Sequence, residues 1–334
     1  MLRLIRGQTL SFSFPEVHED ARLKIELIRT FRVPDDDRTN RLPPGFEPFP
    51  MEHVEDYRRK LPPEWLKHKG LLLPMYQAEA LWIDFESPES YPFAVRIGAG
   101  KICAVTGDQW KQELVKSCVV DGQGERSRQN YLAVPEQPWL DGFKSGDGVV
   151  RQFVAMPLGS GATVEEQLTG AAEFGGMQIQ VYPLKAEKWE EVSDSQVRLP
   201  LDCCCMSPVC EMGLAAGGRI HQEIYEDDYE PADYDFEHSS RVFIHILNSL
   251  QWNAVTGLPM PHKPVSAADF AKLGFPWWFD YDADAKDIAP SDKLAKVKSV
   301  GELDEAIAEQ DAKVPEPTVV INCSKTKAVE DGSW

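Results

Sequence analysis

The sequence predicts a mainly β protein, a sandwich or barrel-like core with a small helical C-terminal part. Three observations predict it. Apolar and polar residues alternate at period two in several separate stretches, the pattern of half-buried strands. Glycine turns separate these stretches at short intervals. Helical signals are concentrated toward the C-terminal end. Frequent short strands with glycine turns fit a sandwich or barrel better than βαβ units. An α+β arrangement, with some strands in a separate domain, is the alternative.

The elements justify this in order. "TLSFSF" (9–14) alternates Leu10, Phe12 and Phe14 with Ser11 and Ser13, and "RLKIELIRTFRV" (22–33) sets Leu23, Ile25 and Leu27 on one face. Prolines at 34, 43, 44, 48 and 50 then forbid a central strand or helix interior. A short helix is expected over about 51–61, stopped by Pro62. "LLLPMYQAEALWIDFE" (71–86) reads as one or two strands, and "FAVRIGAGKICAVTG" (93–107) as two around Gly-Ala-Gly. "CVVDGQGERSRQNYLAV" repeats the pattern around Asp121-Gly122, and "VVRQFVAM" (149–156) and "MQIQVYPL" (177–184) complete the first series.

The polar connector "KAEKWEEVSDSQ" (185–196) marks the expected boundary between a β-rich domain, 1–190, and a mixed β/α region, 191–334. Beyond it, "RIHQEIYE" (219–226) and "RVFIHIL" (241–247) are strands flanking an acidic loop. "SAADFAKLGF" has Ser266 as N-cap and Asp269 in its first turn, "SVGELDEAIAEQD" (299–311) is a second helix, and "TVVIN" (318–322) a closing strand.

Composition limits the function. The 334-residue chain is 43% hydrophobic and 27% charged, the balance of a globular protein able to bury a core. Its formal charge of −19, from 54 acidic and 35 basic side chains, repels nucleic-acid phosphates and anionic membrane surfaces. Neither nucleic acid nor membrane insertion is therefore expected, whereas divalent cations, basic proteins and neutral ligands remain open. No secretory signal or spanning run is read. Seven cysteines, three of them adjacent at 203–205, fit a reduced cytoplasm better than a disulfide framework.

"RQFVAMPLGSGATVEEQLTG" (151–170) has the strand, glycine loop and helix start of a phosphate cradle. It lacks the Gly-Lys-Ser/Thr that such a loop requires. Thr163 and Glu166 instead form a capping box, and Glu165 and Glu166 put negative charge where an anion would sit. "RIGAGKIC" (96–103) has Val95 in place of the first glycine and Ile102 in place of the hydroxyl, so it reads as a turn. "GLAAGG" (213–218) lacks Gly-x-Gly and precedes a strand, so it reads as a turn or bulge.

The most chemically suggestive set is His221, Glu223 and His245. Residues 221 and 223 share a strand face. If the strands 219–226 and 241–247 pair, His245 completes the two-histidine, one-carboxylate set of non-haem iron sites. Against it stands a solvated face with His245 a core histidine. Cys203, Cys204, Cys205 and Cys210 lack the paired knuckles of structural zinc and read as buried thiols.

"YEDDYEPADYDFE" (225–237) carries seven carboxylates, and Asp280, Asp282 and Asp284 match the start of an EF-hand-like loop. Ala285 and Ser291 then break that pattern, leaving a solvated acidic loop as the default and a divalent cation as the alternative. The tryptophans of "EQPWLDGF", "LQWNAV" and "GFPWWFDYD" suit sugar stacking if exposed and core closure if not.

"RQFVAMPLGSGATVEEQLTG…FGGMQIQVYP", "MGLAAGGRIHQEIYEDDY" and "GFPWWFDYD" resemble blocks of a widespread uncharacterised family of bacterial and fungal hypothetical proteins, over most of the chain. The resemblance implies a shared fold and brings no activity, ligand or catalytic residue with it.

The functional expectation is a cytoplasmic, non-enzymatic binding or structural protein that self-associates as a homo-oligomer, because many strands imply exposed edges. The alternative is a metal-dependent oxygenase using His221, Glu223 and His245, with a divalent metal ion polarising bound oxygen.

Overall fold

A computed structural model describes residues 1–36, 38–121, 124–192, 212–261, 263, 286–303 and 326–332. It is mainly β. The N-terminal strands are β1 (Leu2–Ile5), β2 (Thr9–Ser13), β3 (Arg22–Thr30), β4 (Thr39–Asn40), β5 (Glu52–His53) and β6 (Leu71–Pro74). Next come β7 (Ala80–Glu86), β8 (Phe93–Ala99), β9 (Ile102–Cys103), β10 (Lys116–Asp121), β11 (Gly124–Gln129), β12 (Leu132–Val134) and β13 (Trp139–Leu140). The last are β14 (Gly142–Gly146), β15 (Val149–Pro157), β16 (Met177–Pro183), β17 (Met212–His221), β18 (Ser240–Leu247) and β19 (Lys327–Ala328). Among the described residues four short α-helices interrupt them: α1 (Pro63–His68), α2 (Val164–Thr169), α3 (Ala186–Val192) and α4 (Ser249–Thr256).

All strands except β10 and β11 belong to one sheet with two wings. In the first wing β1, β2, β3, β7, β15 and β17 pair antiparallel in that order. In the second, β8, β16 and β18 pair antiparallel, and β6 adds to β18 in parallel. The wings meet where Met212 of β17 faces Ile246 of β18. Strands from either side of residue 190 thus pair directly, β17 on β15 and β18 on β16.

Period-two alternation gives both wings an apolar inner face. Leu23, Ile25 and Leu27, then Leu81 and Ile83, join Val95, Ile97, Ile179, Val181, Val242 and Ile244 in one buried cluster. The outer faces are covered piecemeal. Trp65 of α1 and Trp252 of α4 close over Leu72 and Leu247, while Val154, Met156 and Ala215 pack under Ala162 and Val300. Trp252 is fully buried, so this tryptophan serves core closure.

One local expectation needs correction. Residues 51–61 form the short β5 and a single 3₁₀ turn, Val54–Tyr57, and the α-helix follows at Pro63–His68. The Pro62-Pro63 pair starts this helix: proline at the first helical positions loses no intrahelical donor, and its fixed φ suits the turn. The expected helix 299–311 shows a 3₁₀ turn at Gly301–Leu303, its remainder lying outside the described residues. The helix from Ser266 and the strand 318–322 also lie outside them. Among the described residues, no helix is long and apolar enough to cross a membrane.

Candidate functional site

β17 decides where the predicted site residues go. It runs antiparallel to β15 from Met212↔Pro157 to His221↔Val149, with a register shift between Arg151 and Phe153. Gly217 and Gly218 lie in that irregular stretch, where a methyl on Gly218 would sit 2.3 Å from Pro34 O. His221 therefore sits nine residues along β17 from Met212, about 30 Å of extended strand. His245 lies beside Ile246, the partner of Met212.

The structure thus brings His221 and Glu223 together and leaves His245 at the opposite end of β17. The condition that these two strands pair along their length is not met, since β17 meets β18 only at Met212↔Ile246.

His245 is a packed outer-face residue. Its ring stacks on Trp65 at 4.5 Å, near His68 and Phe243, and Nε2 donates to Lys69 O at 3.0 Å. Burial pushes its pKa down to about 3, against the opposing hydrogen bond to Lys69. It is neutral in the fold.

The strand expected over 219–226 stops at His221 because side chains take over the backbone's hydrogen bonds. Gln137, fully buried, accepts from Tyr225 N at 3.0 Å and donates to Glu223 O at 3.3 Å. Gln129, also fully buried, donates to Tyr225 O and accepts from Asp227 N. Gln222 turns inward, donating to Trp139 O and accepting from Asp141 N. With Gln222 inward, His221 and Glu223 fall on the other side, beside the turn between β14 and β15. That turn uses Gly148 at φ +56°, and a methyl there would lie 3.5 Å from His221 Cε1 and 3.8 Å from Glu223 Cγ.

These residues line a cleft of about 930 Å³. One wall is the β10–β11 hairpin, through Lys116, Cys118, Glu125, Arg126 and Ser127. The other is Asp147, Gly148, His221 and Glu223, with Glu226, Glu230, Lys286 and Asp287 closing it. Asp287 organises the base. It accepts from Gly148 N and Ile224 N, each at 2.8 Å, and from the Lys144 ammonium beneath. Burial pulls Lys144 below the usual lysine range, and Asp287 opposes that shift.

Six carboxylates face three cationic side chains on the cleft, a formal excess of three negative charges that Lys144 beneath reduces to two. Lys116 binds Asp227 O, Tyr229 O and Glu230, and Arg126 binds Asp147. Ser127 is 6% exposed, and its Oγ has no hydrogen-bond partner among the described residues. Cys118 donates to Glu125 Oε1 at 3.0 Å, a bond that raises the thiol's pKa and disfavours a nucleophilic thiolate. Among the described residues, no three histidine, cysteine or carboxylate side chains converge as a metal set.

Other sequence candidates resolve locally. Glu166 accepts from Gly159 N and Gly161 N at 2.9 Å as well as closing the capping box with Thr163. The amides that would cradle a phosphate are already bonded to a carboxylate. In the acidic loop, Asp227 is buried, accepting from Tyr229 N and Tyr234 Oη, and Asp235 accepts from Glu237 N and His238 N. Ser291 donates to Thr106 O. Cys203, Cys204, Cys205, Cys210 and Asp280, Asp282, Asp284 and Ala285 lie outside the described residues, as does "GFPWWFDYD".

Sequence reasoning picked out His221 and Glu223 but not the hairpin wall, Asp287 or Ser127. The one signal that could have found the site's frame was glutamine. Gln129 and Gln137 stand beside predicted β segments, and glutamine buried in a β core must satisfy both ends of its amide. No family model, curated protein or solved structure matches this chain.

Proposed function

We propose that this is a non-enzymatic binding protein whose cleft between the β10–β11 hairpin and the end of β17 takes a positively charged ligand. The observation that carries the reading is the excess of carboxylates over cationic groups along a cleft of ligand size. The cleft's own thiol is held by Glu125 with its pKa raised, which supports binding over nucleophilic chemistry. The whole chain's charge of −19 adds a long-range field that draws cations and repels anions.

Thermal unfolding at low salt tests this, because a ligand that binds only the folded state raises Tm with its concentration. Small organic cations should raise Tm and matched anions should not. Reversal of cleft charge in Glu223→Lys with Glu226→Lys should abolish the rise. A rise with anions, or none with any cation, rejects the reading.

A second reading, self-association, is favoured by the hairpin itself. β10 and β11 pair as strands only with each other among the described residues; Ala289 N bonds to Ser127 O on the β11 side, and Val120 on β10 is 82% exposed. A strand edge with an exposed apolar side chain is what a second strand pairs against.

A further inference from the structure

We infer that the ligand of this cleft is a linear oligoamine, its separated ammonium groups spread over the carboxylates and one N–H directed to Ser127 Oγ; this rests on the cationic-ligand reading above. The carboxylates come from segments far apart in sequence: Glu125 on β11, Asp147 in the β14–β15 turn, Glu223 and Glu226 after β17. They are dispersed along the walls. A calcium ion requires six to eight oxygens at about 2.3–2.6 Å, so it needs convergence instead of dispersal. The described residues offer no converging set of three. Dispersed carboxylates match a ligand whose charges are separated by methylene segments.

Ser127 supplies the independent observation. It is 6% exposed, lines the cleft, and its Oγ has no partner among the described residues. A buried hydroxyl left unbonded is destabilising. A donor arriving with the ligand removes that cost.

The cleft also already accommodates primary ammonium groups. Lys116 Nζ sits among Asp227 O at 2.7 Å, Tyr229 O at 3.2 Å and Glu230 Oε1 at 3.2 Å. Lys144 Nζ sits between both oxygens of Asp287. Carbonyl-plus-carboxylate cradles of this kind suit an amine's three donors.

The test is isothermal titration of the full chain with spermidine at low ionic strength. Saturable binding near one per chain is expected. Glu223→Gln with Glu226→Gln should weaken it at least tenfold, and Ser127→Ala about threefold. Glu16→Gln with Glu89→Gln, which removes the same charge from the opposite part of the sequence, should change it less than twofold. If the cleft double variant does not fold, Ser127→Ala and Glu125→Gln singly carry the comparison.

Equal weakening by both double variants would mean counterion condensation on an acidic surface and overturns the proposal. So does stoichiometric calcium binding, titrated as calcium chloride, that the cleft double variant removes. A lysine-rich tetrapeptide that binds at these residues while spermidine does not overturns the oligoamine and leaves the cationic reading intact. Failure of both probes overturns both.

Discussion

The Lys144 ammonium reaches both oxygens of Asp287, at 2.5 and 2.6 Å, with its side chain fully buried beneath the cleft. Asp287 also holds Gly148 N and Ile224 N, so one carboxylate joins the β14–β15 turn to the segment after β17. Removing it strands a buried cation and frees two amides. Asp287→Asn should destabilise the protein by about 3–5 kcal/mol, the cost of breaking a buried pair. Lys144→Met with Asp287→Leu should recover part of that loss. Urea midpoints of the two variants and the unmodified protein check this, and a loss below about 1 kcal/mol for Asp287→Asn would contradict it.

His245 makes stability depend on acid. Its folded pKa of about 3 lies below the ordinary 6.5 because it is buried. Between those values the unfolded chain binds a proton that the folded chain does not. Stability is therefore full above pH 6.5 and falls as pH drops toward 3, by roughly 3–5 kcal/mol from this group. His245→Phe keeps a ring against Trp65 and should flatten that part of the pH profile, at the cost of the bond to Lys69 O. Unfolding free energies at pH 7.5 and 4.5 for both proteins decide the matter. Parallel profiles would refute it.

The α2 cap should behave as a structural element. Thr163→Ala should cost about 1 kcal/mol. Glu166→Ala should cost more, because it also releases Gly159 N and Gly161 N. Neither change should create phosphate affinity, which titration with inorganic phosphate can read.

Gln137 spans Tyr225 N, Glu223 O and Trp139 O at no exposure. Gln137→Leu removes this partner from Tyr225 N and Glu223 O, while Trp139 O keeps its bond from Gln222, at about 1–3 kcal/mol for each group that finds no replacement. Hydrogen exchange at the Tyr225 amide should quicken before exchange in the β3–β7 pair does. Unchanged protection at Tyr225 would show that another group holds it.

Self-association through the hairpin predicts concentration-dependent sedimentation that Val120→Lys removes, since an exposed lysine on a strand edge opposes pairing. A single monomeric species for the unmodified chain at several hundred micromolar would end that reading.

The mainly β architecture was legible because period-two alternation is local. Leu10 and Phe12, Leu23 and Ile25, or Ile179 and Val181 each announce a buried face within a few residues. The Thr163–Glu166 cap was legible for the same reason, its four residues being a complete hydrogen-bonded unit. Pro62 misled, because a proline's effect depends on whether the helix lies before or after it.

His221 and Glu223 were legible as two residues on one side of the chain. Their relation to His245 was not, because alternation fixes which face a side chain takes but not which strand lies beside it. Pairing of β17 with β15, across 55 or more residues of sequence, separated His221 from His245 by most of a strand. The cleft likewise needed Asp287 to meet Gly148 from 139 residues away. The sequence by itself determined the strands, their buried faces, the α2 cap and the acidic character of the chain, since each depends on near neighbours or on totals. Only the tertiary structure decided which carboxylates share a cleft, which histidine is sealed in the outer layer and which ammonium lies beneath Asp287, since those depend on contacts between segments that the chain brings together only on folding.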